Sequence, residues 1–87
     1  MNILEKANEI VNKRKEEKER QYGDFIKCMI KTSKIASEMS NKIITTEDAY
    51  NVLIALKLAR QANAHKEDNL LDAVAYLGSL NNYKNAK

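Results

Sequence analysis

"TTEDAYNVLIALKLARQANAHKEDNLLDAVAYLGSL", residues 45–80, decides the fold. It reads as two helices joined by a short polar turn. Thr45 or Thr46 can cap the first, and Glu47 and Asp48 suit the positive end of its dipole. Ala49, Val52, Leu53, Leu56 and Ala59 recur at helical spacing, and Ile54, Ala55 and Leu58 add apolar positions on other faces. A helix over 47–63 that is apolar on more than one side is either central to a bundle or packs a second subunit. After "QANAHKED", Leu70, Leu71, Val74, Leu77 and Leu80 form the stripe of another helix, over 66–82. Its small residues Ala73, Ala75 and Gly78 let a neighbouring helix approach closely. So short a connection makes the two helices antiparallel neighbours.

Working outward, Ile3, Leu4, Ala7, Ile10 and Val11 lie on one face of a helix expected over 2–20. "NKRKEEKER" continues it as a solvated end with i,i+4 pairs such as Glu16–Arg20. "QYGD" then breaks the chain: Gly23 can end one helix and Asp24 can cap the next. A helix over 25–40 follows, with Ile26, Met29, Ile30, Ser33 and Ala36 in its stripe and Phe25, Cys28, Ile35 and Met39 widening it. Lys27, Lys31 and Lys34 share a different, wet face. Ile43 and Ile44 are expected to plug the bundle end, and the tail "NNYKNAK" to fray. The expected architecture is all-α, a compact four-helix bundle-like domain over 1–87.

Composition agrees. The chain of 87 residues has no proline, two glycines and 44% hydrophobic residues, with a net charge of only +3. So short a chain buries a small fraction of its surface, and self-association is the natural supplement. Cys28 is the single cysteine, which excludes an internal disulfide; a half-buried structural thiol is its expected role. The N-terminus lacks the apolar run of a signal peptide, and no stretch approaches the roughly 18 apolar residues of a membrane span. A soluble, cytoplasmic protein without a membrane partner is expected. Nucleic-acid binding would rest on Lys27, Lys31 and Lys34, with no base-stacking aromatic set beside them, and is not expected. No Gly-rich phosphate loop, zinc cluster or supported Ser-His-Asp arrangement is present.

The polar residues of the two decisive helices form a candidate constellation. Asp68, Asp72 and Tyr76 fall at i, i+4 and i+8 on one helix face. Lys57 and Arg60 are near neighbours on the other helix, and His65 sits in the turn between them. Asp68 can simply favour a helix start, and Asp72 can form a structural ion pair with Lys57 or Arg60. Lys57 is harder to set aside, because it lies between Leu56 and Leu58 in the most apolar helix. His65, Asp68 and Asp72 could hold Mg²⁺, but they are few ligands and the neighbouring cations would compete.

"QYGDF", "TTEDAYNVLIALKLAR" and "HKEDNLLDAVAYL" together resemble a small helical domain common in phages and prophages. Its pattern is a tyrosine-glycine-aspartate turn, a helix ending lysine-x-alanine-arginine, then aspartate-x-x-x-aspartate and a tyrosine. Tyr22, Gly23 and Asp24, then Lys57, Ala59 and Arg60, then Asp68, Asp72 and Tyr76 match it. Ala75 stands where the pattern often has glycine. The layout is also distantly similar to the all-helical nucleotide pyrophosphohydrolases of the MazG kind. Those bind Mg²⁺ through E-x-x-E and E-x-x-D patterns on two helices. Glu16 and Glu19 satisfy the first, whereas Asp68 and Asp72 have i+4 spacing.

The resemblance implies a phage-type accessory protein in a bacterial host's cytoplasm. The leading expectation is a non-catalytic binder of a phosphate-bearing, nucleotide-like ligand, with no cofactor. Lys57 and Arg60 would meet phosphate, Tyr22 or Tyr76 would stack on a base, and His65, Asp68, Asp72 and Asp24 would complete the site. Its concrete form is a homo-oligomeric sponge that sequesters a host immune signal such as a cyclic nucleotide. A Mg²⁺-dependent nucleotide pyrophosphohydrolase and a protein that inhibits a host defence enzyme are the alternatives.

Overall fold

The computed structural model describes residues 2–9 and 25–86. The described residues form four α-helices and no strand: α1 (Ile3–Asn8), α2 (Phe25–Ser40), α3 (Thr46–Asn63) and α4 (Glu67–Asn85). The extension of the first helix to residue 20 and the Tyr22–Gly23–Asp24 turn lie outside the described residues. The fold is an all-α bundle, as the periodicity implies.

The starts of α1 and α3 have a local cause. Asn2 caps α1 by accepting the Glu5 N–H at 2.9 Å. Thr45, not Thr46, caps α3: its hydroxyl accepts the Asp48 N–H, and the Asp48 carboxylate accepts the Thr45 N–H, both at 3.0 Å. That reciprocal pair satisfies two donors a helix start leaves orphaned. Thr46 instead turns inward, buried, with its hydroxyl 3.2 Å from that of Ser33 on α2. Between α2 and α3, Asn41 takes the left-handed conformation at φ 56°, one of the few non-glycine residues that does so cheaply. Ser37 then fixes the chain, its Oγ accepting the Ile44 N–H at 2.8 Å. This turn leaves Ile43 almost fully exposed and only Ile44 half-buried, so Ile43 does not plug the bundle end.

The main core cluster lies where α2, the first half of α3 and the last turns of α4 meet. Met29, Ala49 and Tyr50 are its buried centre, and Leu53, Leu80 and Tyr83 pack around them. Helix α4 continues through Asn85, past the expected fraying at residue 81. The Tyr83 ring packs 6.3 Å from that of Tyr50, and Lys84 pairs with Glu47 on α3 at 2.6 Å. Helix α4, rather than α3, is central: it touches α1, α2 and α3. Its small buried residues Ala73, Ala75 and Ser79 permit that close approach. Several expected burials fail on α2. Cys28 is exposed, and so are Phe25, Ile35 and Met39. The stripe of Met29 and Ser33 is narrow, so residues to either side of it face outward. Among the described residues, no helix is long and apolar enough to cross a membrane.

Candidate functional site at the corner of α3 and α4

Two contacts set the register of α3 against α4. The Tyr50 and Ser79 hydroxyls lie 2.7 Å apart, and Lys57 Nζ lies 2.7 Å from Asp72 Oδ2. From one contact to the next, α3 advances by two turns and α4 recedes by two turns. The helices therefore run antiparallel in a fixed register, and continuing it sets Arg60 opposite Asn69.

Lys57 is thereby explained. It occupies the inner face of α3, on the same side as Tyr50 and Leu53, where an unpaired ammonium would be unfavourable. Asp72 is the anion it faces. The side chains are 18% and 35% exposed, so solvent screens the pair partially. It holds the two helices in register, and the Asp72 carboxylate offsets the Lys57 charge locally. It also occupies Asp72, so a cation bound there would have to displace the ammonium. No group of three or more His, Cys, Asp or Glu residues among the described residues could hold a metal ion. Glu16 and Glu19 lie outside the described residues, as do Tyr22 and Asp24.

The other residues of the constellation separate. Tyr76 stacks on Phe25 of α2, with ring centroids 5.6 Å apart and planes 6° from parallel. Its ring joins α4 to α2 and does not line the groove. His65 is exposed in the turn, and its Nδ1 lies 2.6 Å from Gln61 Nε2. The same Gln61 side chain accepts the Lys66 N–H at 3.2 Å through Oε1. Gln61 therefore ties the turn together, with His65 as one of its partners. Asp68 is exposed in the first turn of α4.

Arg60 remains, and it opens into a groove. Ala59, Arg60, Asn63 and Ala64 line it from α3 and the turn, and Lys66 and Asn69 from the start of α4, around a volume of about 510 Å³. Three features suit it to an anion. Arg60 and Lys66 bring two positive charges. Lys66 is the N-cap of the 19-residue α4 and, with no acceptor in its side chain, leaves that helix start without a side-chain cap. Asn69 is only 7% exposed, and its side chain makes no hydrogen bond among the described residues although it lines the groove. Among those residues no fully sealed side-chain polar atom lacks a partner, so what the Asn69 amide exposes reaches the groove. An amide so nearly buried is ordinarily hydrogen-bonded, and here the groove is where a partner would come from.

Glu67, also at this corner, turns the other way. Its carboxylate meets Lys6 of α1 at 2.6 Å. The hydrogen bond and charge of Lys6 hold its pKa below the ordinary carboxylate value. That contact draws one of the two acidic charges in the first turn away from the groove.

Sequence reasoning singled out Arg60, which lines this groove, but not Lys66, Asn63 or Asn69, which line it too. Asn69 was readable: it precedes Ala73, Tyr76 and Leu80 at i+4, i+7 and i+11, so a polar amide stands on an inward face. Lys66 carried no such signal, because its place depends on the turn. A second hollow, of about 490 Å³, lies at the α2–α3 turn. Lys34 lines it, but the hydroxyls of Ser33 and Ser37 there are already engaged within the fold.

No curated protein and no solved structure matches the chain. A family profile does, over residues 2–84, a span that takes in α1, α2, α3 and all but the last residue of α4. On that match the chain belongs to the family described as Domain of unknown function (DUF6378).

Proposed function

We propose that this protein binds a phosphate-bearing, nucleotide-like small molecule at the α3–α4 corner and holds it without turnover. The observation that carries the reading is one groove shared by Arg60, Lys66 and the amide of Asn69, which has no partner among the described residues. A guanidinium and an ammonium at a helix start without a side-chain cap favour phosphate, and an amide offers both donor and acceptor to a base or sugar. The volume lies in the range of small-molecule sites. Lys57, Asp72 and Tyr76 then act behind the site, fixing the helices that present Arg60 and Asn69. On the resemblance to a phage and prophage domain, the biological form is a cytoplasmic counter-defence protein that sequesters a host immune signal, a cyclic nucleotide among the candidates.

A second reading has its own observation. Ile35, Met39 and Ile43 are exposed near Lys31, Lys34 and Lys42. An apolar patch beside cations suits an acidic protein partner such as a host defence enzyme.

Native mass spectrometry of the purified protein with linear and cyclic nucleotides separates these. Stoichiometric retention of an intact nucleotide, persisting in EDTA and lost in Arg60→Ala and Lys66→Ala, is the expected result. Retention untouched by both substitutions, or release of a hydrolysed product, would overturn it.

A further inference from the structure

The inner side of α3 is covered by α4, but its outer side has no cover among the described residues. Val52 is 66% exposed and Leu56 42% exposed, and Ala55 and Ala59 are exposed between and beside them. Positions 52, 56 and 59 fall on one stripe at helical spacing, with 55 on its flank. A stripe that small proteins usually bury is here presented to solvent. We infer that it is the seam of a two-fold homodimer, in which α3 packs antiparallel against α3 of a second copy, crossing at Ala55 and Leu56.

The order of side chains favours a second copy over another occupant. An antiparallel two-fold about that point sets Val52 against Ala59 of the second copy and Leu56 against its Ala55. Each large side chain then meets a small one, twice over, which is the self-complementarity an isologous interface requires. The charges agree. The first turn of α3 carries Glu47 and Asp48, and its last turn carries Arg60. Antiparallel packing brings Asp48 of one copy within about a turn of Arg60 of the other, and it opposes the two helix dipoles. A parallel pairing would set acid against acid. Uncharged polar side chains flank the seam, with Asn51 and Asn63 exposed there. Because Ala59 and Asn63 also line the Arg60 groove, the seam runs along that groove's edge. The dimer does not depend on the groove holding a nucleotide.

Sedimentation velocity of the full chain without nucleotide is the test. A dimer at tens of micromolar is expected, shifting to monomer in Leu56→Glu with unchanged helical circular dichroism, and unaffected by Leu77→Glu on α4. In a Cys28→Ser background, Ala55→Cys should cross-link two copies on mild oxidation, whereas Met39→Cys on α2 should not. A monomeric wild type, a dimer surviving Leu56→Glu, or equal cross-linking at both positions would overturn the inference. None of these readouts involves ligand, so the dimer and the nucleotide reading fail separately.

Discussion

The helices α3 and α4 are zipped at one end and open at the other. At the closed end, Tyr50 is fully buried beside Met29, Ala49 and Tyr83, its hydroxyl meets Ser79, and Thr46 meets Ser33. At the other end, Arg60, Asn63, Lys66 and Asn69 surround empty volume, and Ala64, His65 and Lys66 are exposed. Apolar rings and paired hydroxyls occupy one end, and cations and amides gather at the other. The lesson is a division of labour along a single helix pair. The buried cluster lies at one end of the pair, so the open end can keep groups that would be unfavourable in a core.

The largest effect should come from attacking the closed end. Tyr50→Ala removes a fully buried ring with aromatic neighbours at 5.9 Å and 6.3 Å. We expect a loss of about 3–5 kcal/mol in urea denaturation, near or beyond the whole stability of so small a bundle. A loss under about 1 kcal/mol, the average for any substitution, would show that the closed end is not the stabilising one. Tyr50→Phe isolates the hydroxyl facing Ser79 and should cost about 1 kcal/mol on the same scale.

Midway between the ends, the Lys57–Asp72 pair should behave as a register pin. A double-mutant cycle with Lys57→Met and Asp72→Asn is expected to give a coupling of about 1 kcal/mol, reduced by solvent access and by salt. Zero coupling would return Lys57 to the list of free phosphate-binding cations. At the open end, Arg60→Ala should leave stability within about 0.5 kcal/mol, while removing nucleotide retention. Equal losses of stability from Arg60→Ala and Lys57→Met would erase the contrast between middle and end.

The smallest effects belong to the surface pairs that brace the two ends. Lys6 lowers the pKa of Glu67, so this carboxylate favours the folded state above its unfolded pKa, and the benefit fades as pH falls through its folded one. Glu47 raises the pKa of Lys84, so that stabilisation is present below the unfolded ammonium pKa and is lost as pH rises through the folded one. Melting temperatures of Glu67→Gln and Lys84→Met against wild type should therefore converge with it at the acid and the alkaline limit, respectively. Both pairs lie at the surface, and a large pH-dependent difference would contradict that placement.

The closed end is the more legible from sequence. The stripe through Met29 and Ser33, the acidic start of α3 and the small residues of α4 all follow helical spacing. What spacing does not give is which face of an over-apolar helix is inside. Val52 and Leu56 look as buried as Leu53 in a list, yet a helix packed from one side covers only one of its faces. Likewise, Lys57 and Arg60 look like twins, and only the register separates them: one falls opposite a carboxylate, the other opposite an amide. The stacking of Tyr76 on Phe25 is illegible for a related reason, because the two rings are far apart in sequence.

The position of α1 bears on the order in which the molecule comes apart. Helix α1 docks on α4, where Ala7 is buried and the Lys6–Glu67 pair closes across 61 residues. The α3–α4 hairpin closes across a short turn that Gln61 ties. Local contacts form early and cost little loop entropy, whereas the distant strut must wait for the rest. We expect native-state hydrogen exchange to show α1 amides opening well before those of α3 and α4. The bundle would then lose its first helix as a separate, low-energy step, and a protease would find that step before it found the core.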